Sequence, residues 1–257
     1  MGSFDMTEDT AVRFAELIAA KSNTKFDKQT FLENFRKGAA SKAEDIPEVS
    51  GVLAEKIAKF KRGETRKYYP MSLFTSEDVK HFTFEKWNAN TPARKAVGVS
   101  AFMASKQLSQ QNSNYVFVGP AGTGKTALAV AVMNKLADVK SIMFVNLVAL
   151  RSTMLASIDD ERAKQDYNLI IRGMKEVELL VMDDFGKESG AGGATDKMTE
   201  ILYSIVNARI GKSTIVTTND NLSQLRSKYD ESLTSRLIPK DEQKIVLFKD
   251  IDDYREA

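Results

Sequence analysis

The sequence predicts an α/β fold, a parallel sheet sandwiched by helices, with a small helical domain in front of it. Three observations carry that reading. Five short apolar runs after about residue 71 alternate with helical patterns, which is the grammar of parallel crossovers. A glycine-rich turn stands between the first of these runs and the helix that follows it. Residues 1–70, by contrast, hold only short amphipathic stripes.

Taken in order, Thr7–Ser22 places Val12, Phe14, Ala15, Leu17 and Ile18 on one helical face. Asp27–Lys37 carries Phe31, Leu32 and Phe35 and stops at Gly38, and Ser50–Phe60 carries Val52, Leu53, Ile57 and Phe60. Lys56, Lys59, Lys61, Arg62, Arg66 and Lys67 then crowd the approach to Tyr68-Tyr69-Pro70, which reads as a basic linker closing a domain of residues 1–70. In residues 71–257 the predicted strands are Tyr115–Val118, Ser141–Asn146, Glu178–Met182, Ser213–Thr218 and Lys244–Phe248. Helical patterns stand out at Thr126–Ala137 and Thr195–Ile210, and Gly190, Gly192 and Gly193 mark a surface loop.

Composition narrows the chemistry. The 257 residues suit one large domain and one small one, at roughly 150 residues per domain. With no cysteine, disulfides, thiolate metal sites and thiol catalysis are excluded, and His81 alone cannot make a histidine-rich metal centre. No apolar run approaches the roughly 18 residues of a membrane span. Asp5, Glu8 and Asp9 stand where a signal peptide would be basic, so the expectation is a cytoplasmic protein with no membrane partner. A net charge of +2 argues against a strongly basic nucleic-acid coat.

Gly119-Pro120-Ala121-Gly122-Thr123-Gly124-Lys125-Thr126 matches the phosphate-binding loop pattern at every fixed position. Its glycines let backbone N–H groups face phosphates at a positive helix N-terminus, which Ala127 continues. Lys125 is the candidate for the β- and γ-phosphates of ATP, and the Thr126 hydroxyl for Mg2+. About 60 residues on, Glu178-Leu-Leu-Val-Met-Asp-Asp184 ends an apolar strand in two acids. Asp183 is the natural metal-positioning acid, and Asp184 the candidate for polarising an attacking water. Asn219, closing Thr217-Thr218-Asn219, can help hold that water; the alternative is that it caps the helix from Leu222. Hydrolysis also needs a cation for the developing charge. Arg236 is the candidate, acting across a subunit interface, with a surface arginine paired to an acid as the alternative.

The run from Phe82 to Tyr254 resembles the DnaC/DnaI/IstB group of AAA+ ATPases, specifically bacterial or phage replicative helicase loaders. The residues that carry the resemblance are Phe82-Thr-Phe-Glu-Lys-Trp-Asn88, the phosphate-binding loop, Leu179-Leu-Val-Met-Asp-Asp-Phe-Gly186, Thr217-Thr-Asn219, Ser235-Arg-Leu237 and Asp253-Tyr-Arg255. The resemblance implies a P-loop AAA+ (ASCE) core, helicase binding through the N-terminal domain, and self-association in a spiral with Arg236 reaching the neighbour's ATP. It also implies single-stranded DNA binding by the segment after the second strand, here Leu147–Arg172, where Arg151, Lys164, Tyr167 and Arg172 combine cations with an aromatic. A solvated amphipathic helix pair is the alternative, which Asp159, Asp160 and Glu161 favour.

Three departures matter. Asp184 stands where many AAA+ enzymes carry glutamate, which predicts slow turnover. The absence of cysteine rules out the zinc-binding N-terminal domain of some family members. Only nine residues follow Phe248, so no C-terminal helical lid is expected. The same core serves a transposition helper ATPase of the group, and a small-molecule phosphotransferase or a non-hydrolysing adaptor are more distant alternatives.

Overall fold

Alternating side chains on short buried runs build the sheet. The computed structural model describes residues 27–29, 32, 66–188 and 196–253. Five strands form within them: β1 (Asn114–Val118), β2 (Ile142–Asn146), β3 (Leu179–Asp183), β4 (Ser213–Thr218) and β5 (Ile245–Leu247). Their order is β2-β3-β4-β1-β5 and every pairing is parallel. Each strand falls where the apolar runs place it, with ends moved by at most a residue; β3 extends through Asp183, so that acid belongs to the strand itself.

Helices cover both faces. They are α1 (Glu77–Lys80), α2 (Pro92–Gln110), α3 (Lys125–Leu136), α4 (Leu147–Ala156), α5 (Glu161–Glu176), α6 (Asp196–Ala208), α7 (Leu222–Lys228) and α8 (Glu231–Leu237). Period-2 alternation divides the strand side chains between two cores. Tyr115, Phe117, Phe144, Leu179, Val181 and Ile215 pack with Leu108 of α2 and Leu128 and Met133 of α3. Val116, Val118, Met143, Leu180, Met182 and Val216 turn the other way, onto Leu150, Met174, Leu202, Leu225 and Leu233 of α4 to α8.

Chain division differs from the expected boundary at residue 70. One compact unit is Met1–Ala58 and the other Lys59–Ala257. Tyr68, expected in a linker, is buried in the core beside β2 and donates its hydroxyl to Glu176. Leu73 then bridges Val145 in parallel, its N–H bonded to Phe144 O at 2.8 Å and its carbonyl accepting from Asn146 N at 3.0 Å. The reason is chemical: tyrosine and leucine after the lysine run have apolar surface that the β2 edge can bury. In the first unit, Lys28, Gln29 and Leu32 are helical, within the stretch where Asp27–Lys37 predicts a helix. The other two expected N-terminal helices and the glycine loop lie outside the described residues.

Arg209, just after α6, is 4% exposed. Its guanidinium donates to Met174 O at 2.7 Å, Val177 O at 2.9 Å, Thr214 Oγ1 at 3.0 Å and Ser213 O. It thereby ties the end of α5 to the start of β4.

Candidate nucleotide site

In a parallel sheet all strand C-termini share one edge, and ligands gather there. β1 runs into the phosphate-binding loop at that edge, where Gly122 (φ +76°) and Gly124 (φ +92°) take left-handed backbone conformations. Gly124 is needed twice over, because a Cβ there would lie 2.5 Å from the Trp87 ring. Gly124→Ala is accordingly expected to cost about 1–3 kcal/mol of stability and to lose nucleotide binding, read by urea unfolding and nucleotide titration. Lys125 opens α3, is 5% exposed, and donates from Nζ to Pro120 O at 2.6 Å.

The adjoining strand ends deliver a polar cluster centred on Asp183, which is 1% exposed. Its Oδ1 accepts from Thr126 Oγ1 at 2.7 Å and Thr217 Oγ1 at 2.6 Å, and its Oδ2 from Asn146 Nδ2 at 3.0 Å. Burial raises the Asp183 pKa, opposed by these three hydrogen bonds. Asp184 follows in the left-handed region at φ +58°, its N–H bonded to Thr217 Oγ1 at 3.1 Å. Its carboxylate meets Lys187 Nζ at 2.7 Å and Asn146 Nδ2 at 3.3 Å. Asn219 lines the same cleft. It does not cap the helix from Leu222; Asn221 does, through a reciprocal capping box with Gln224.

Lys125, Asp183, Asp184, Lys187 and Asn219 line a cleft of about 420 Å3 with Thr75, Val79, Phe82, Trp87 and Arg94 from the segment ahead of β1. Pro120 and Thr123 complete the loop, the Thr123 hydroxyl bonding Pro120 O at 2.9 Å, while Ala121, Gly122, Gly124, Thr126 and Ala127 border the cleft. Trp87 Nε1 donates to Arg94 O at 2.9 Å, and the Arg94 guanidinium lies 4.6 Å from the indole ring centre. The opening thus joins an aromatic wall to a phosphate cradle. Thr126 and Asp183 offer one hydroxyl and one carboxylate as hard oxygen donors. That set suits Mg2+, which takes few protein ligands and completes its shell with water and phosphate oxygens.

Other expected residues lie elsewhere. Arg236 is half-buried on α8; its guanidinium donates to Ser232 O and Oγ and lies 5.6 Å from the Tyr203 ring centre. Its carbonyl accepts from Asn114 Nδ2 at 2.6 Å at the start of β1, the end of the strand opposite the phosphate loop. Leu147–Arg172 spans α4 and most of α5. Arg151 is half-buried, whereas exposed Lys164 and Arg172 pair with Glu161 at 3.3 Å and Glu176 at 2.7 Å. Tyr167 corrects the expectation of base stacking: it is 9% exposed within the core, and burial pushes its hydroxyl up to about 12. The helical period turns it inward with Ile170 and Met174.

Sequence reasoning missed Asn146, Lys187 and the Trp87–Arg94 wall as site residues, and assigned Thr217 no role of its own. For Asn146 and Thr217 a signal existed, a polar residue ending an apolar strand at the ligand edge. Lys187 had none.

The chain matches the family described as IstB-like ATP binding protein over residues 30–241. It is 30% identical over 128 residues to the uncharacterized protein YdaV of Escherichia coli K12, covering 49% of each. Over 135 residues it is 30% identical to the putative insertion sequence ATP-binding protein y4uH of Sinorhizobium fredii, covering 50% of this chain and 52% of that one. The chain therefore spans about half the length of these curated relatives. Its fold is similar to a crystal structure of the DnaC helicase loader, with TM-score 0.52, 20% identity, and coverage of 69% of this chain and 100% of that one. An intact phosphate-binding loop after β1, paired acids at the end of β3 one strand removed from it, and a family match over most of its length lead to one conclusion: the chain belongs to the IstB-like ATP binding protein family, with the P-loop AAA+ fold of the DnaC/IstB type.

Proposed function

We propose that this protein is an ATP-hydrolysing loader that binds a replicative DNA helicase and helps place it on single-stranded DNA. The observation that carries the ATPase reading is the Asp183 cluster, which sets a buried carboxylate against the Thr126 hydroxyl at 2.7 Å at the base of the phosphate loop. In this reading Lys125 holds the β- and γ-phosphates, and Thr126 and Asp183 hold Mg2+. The metal, when bound, neutralises charge on the phosphoryl group being transferred. Asp184 orients the attacking water and Asn219 steadies it. Asp184 is one methylene shorter than glutamate, so turnover is slow.

Arg236 sits beside the start of β1, the end opposite its own loop, and in this reading acts on the site of a neighbouring copy, which makes self-association through the ATPase unit part of the proposal. Residues 1–70 contact the helicase. Arg151, Lys164 and Arg172 track the phosphates of single-stranded DNA. No helix among the described residues is long and apolar enough to cross a membrane, and the proposed work lies in the cytoplasm. The helicase assignment is supported by the ordered motifs and by the fold similarity to the DnaC helicase loader.

A second reading, a transposition helper, is favoured by the family description and by the insertion-sequence relative. Co-purification of the full chain with replicative helicases in ATP and in ADP tests both. The expected result is a higher-order complex in ATP that is lost with Lys125→Ala or Arg236→Ala. Failure to bind any replicative helicase, together with filaments on duplex DNA, would establish the transposition reading instead.

A further inference from the structure

Lys187 lies three residues beyond Asp184, just outside the motif that ends at Gly186, yet the chain returns it to the cleft. The turn that does this is built. Lys187 N donates to Asp184 O at 3.1 Å, and φ values of +58° at Asp184 and +99° at Gly186 fold the four residues back on themselves. The turn is also braced from behind. Gly186 N donates to the buried Glu188 carboxylate at 2.8 Å, and Lys228 Nζ reaches Gly186 O at 3.2 Å and Asp220 at 2.6 Å. Aspartate tolerates the left-handed conformation better than most residues, and this bracing holds Asp184 in it.

The consequence is that both oxygens of Asp184 are already engaged, Oδ1 by Lys187 at 2.7 Å and Oδ2 by Asn146 at 3.3 Å. A carboxylate held this way has fewer lone pairs left to orient a water in the cleft. Lys187 and Asp184 both border the cleft with Lys125, Thr126 and Asn219. Their side chains keep 44% and 28% of their exposure, so the pair is partly solvated and the attraction is weak enough to exchange. A terminal phosphate carries more negative charge than one carboxylate and competes for the same ammonium group.

We infer that Lys187 is a specificity-determining residue that reads the terminal phosphate: it exchanges from Asp184 to the γ-phosphate of ATP, and the exchange frees Asp184 Oδ1 to accept a hydrogen bond from the attacking water. This rests on the nucleotide-site reading above and deepens it. A nucleoside diphosphate lacks the competing group, so with ADP the lysine stays on Asp184 and the acid stays silent. The ion-pair exchange supplies, within one chain, part of the cation that hydrolysis requires, alongside any arginine from a neighbour.

Calorimetric titration of the full chain with Mg2+ and either ADP or β,γ-methylene ATP tests the inference, with phosphate release from ATP measured in parallel. Lys187→Met is expected to weaken the ATP analogue by about 10-fold while ADP changes by less than about twofold, the loss of one charge-assisted hydrogen bond. Lys187→Arg keeps the cation and is expected to keep the preference. Asp184→Asn removes the competitor and strengthens the analogue several-fold, a gain that disappears when Lys187→Met is added. Equal losses for both nucleotides, no loss for either, or faster phosphate release by Lys187→Met with the preference intact would each overturn the inference. A wild-type chain that binds neither nucleotide would overturn the nucleotide-site reading along with it.

Discussion

Lys125→Ala is expected to reduce ATP turnover by about 100-fold or more, the scale of losing one preorganised charge at a developing anion. The expectation follows from burial as well as from motif. Lys125 is 5% exposed, so its ammonium group acts where water does little to screen it. Thr126, the next residue, keeps its bond to Asp183, so the fault stays confined to phosphate contact. Phosphate release measures the loss directly. Emission from Trp87, the chain's single tryptophan, packed on Gly124, gives a second readout: a change on adding Mg·ATP that is weakened in the variant. Turnover within about threefold of wild type would contradict the assignment of Lys125.

Arg209→Ala is expected to cost about 3–5 kcal/mol of stability, the largest effect foreseen away from the cleft. The guanidinium is the shared donor for three carbonyls and the Thr214 hydroxyl, and all lie where water cannot replace it. Burial draws its pKa down to about 9, so it remains charged at neutral pH and its donors stay available. Arg209→Lys is expected to recover only part of the loss, because one ammonium cannot reproduce the planar fork. Urea unfolding reads the difference. Nucleotide affinity of the folded fraction is expected to stay near wild type, since Arg209 contacts the start of β4 and the cleft lies at its end.

Much of the fold was legible because fully buried parallel strands appear as short apolar runs with helices between them. The run Ser213–Thr218 came through whole, and Lys125, Asp183 and Asp184 announced themselves by pattern. Side chains whose role is set by long-range packing did not. Tyr167 is an aromatic among charges in sequence, and only the rotation of α5 decides that it faces the core. Asn146 looks like a helix cap, and it is one, bonding Ala149 N at 3.1 Å, while its amide also holds both acids. Arg209 is indistinguishable from a surface arginine until the end of α5 and the start of β4 are brought around it. Lys187 depends on a turn with left-handed backbone at Asp184 and Gly186, residue types that permit that conformation without announcing it.

The bridge from Leu73 to β2 has a consequence for solubility. A sheet's outermost strands expose unpaired backbone groups that invite strand addition and aggregation. Here the chain lays its own backbone on the β2 side, using Leu73 to bond Phe144 and Asn146. On the other side, β5 is only three residues long, a poor template for a foreign strand. Both edges of the sheet therefore present only short stretches of open backbone to a foreign strand.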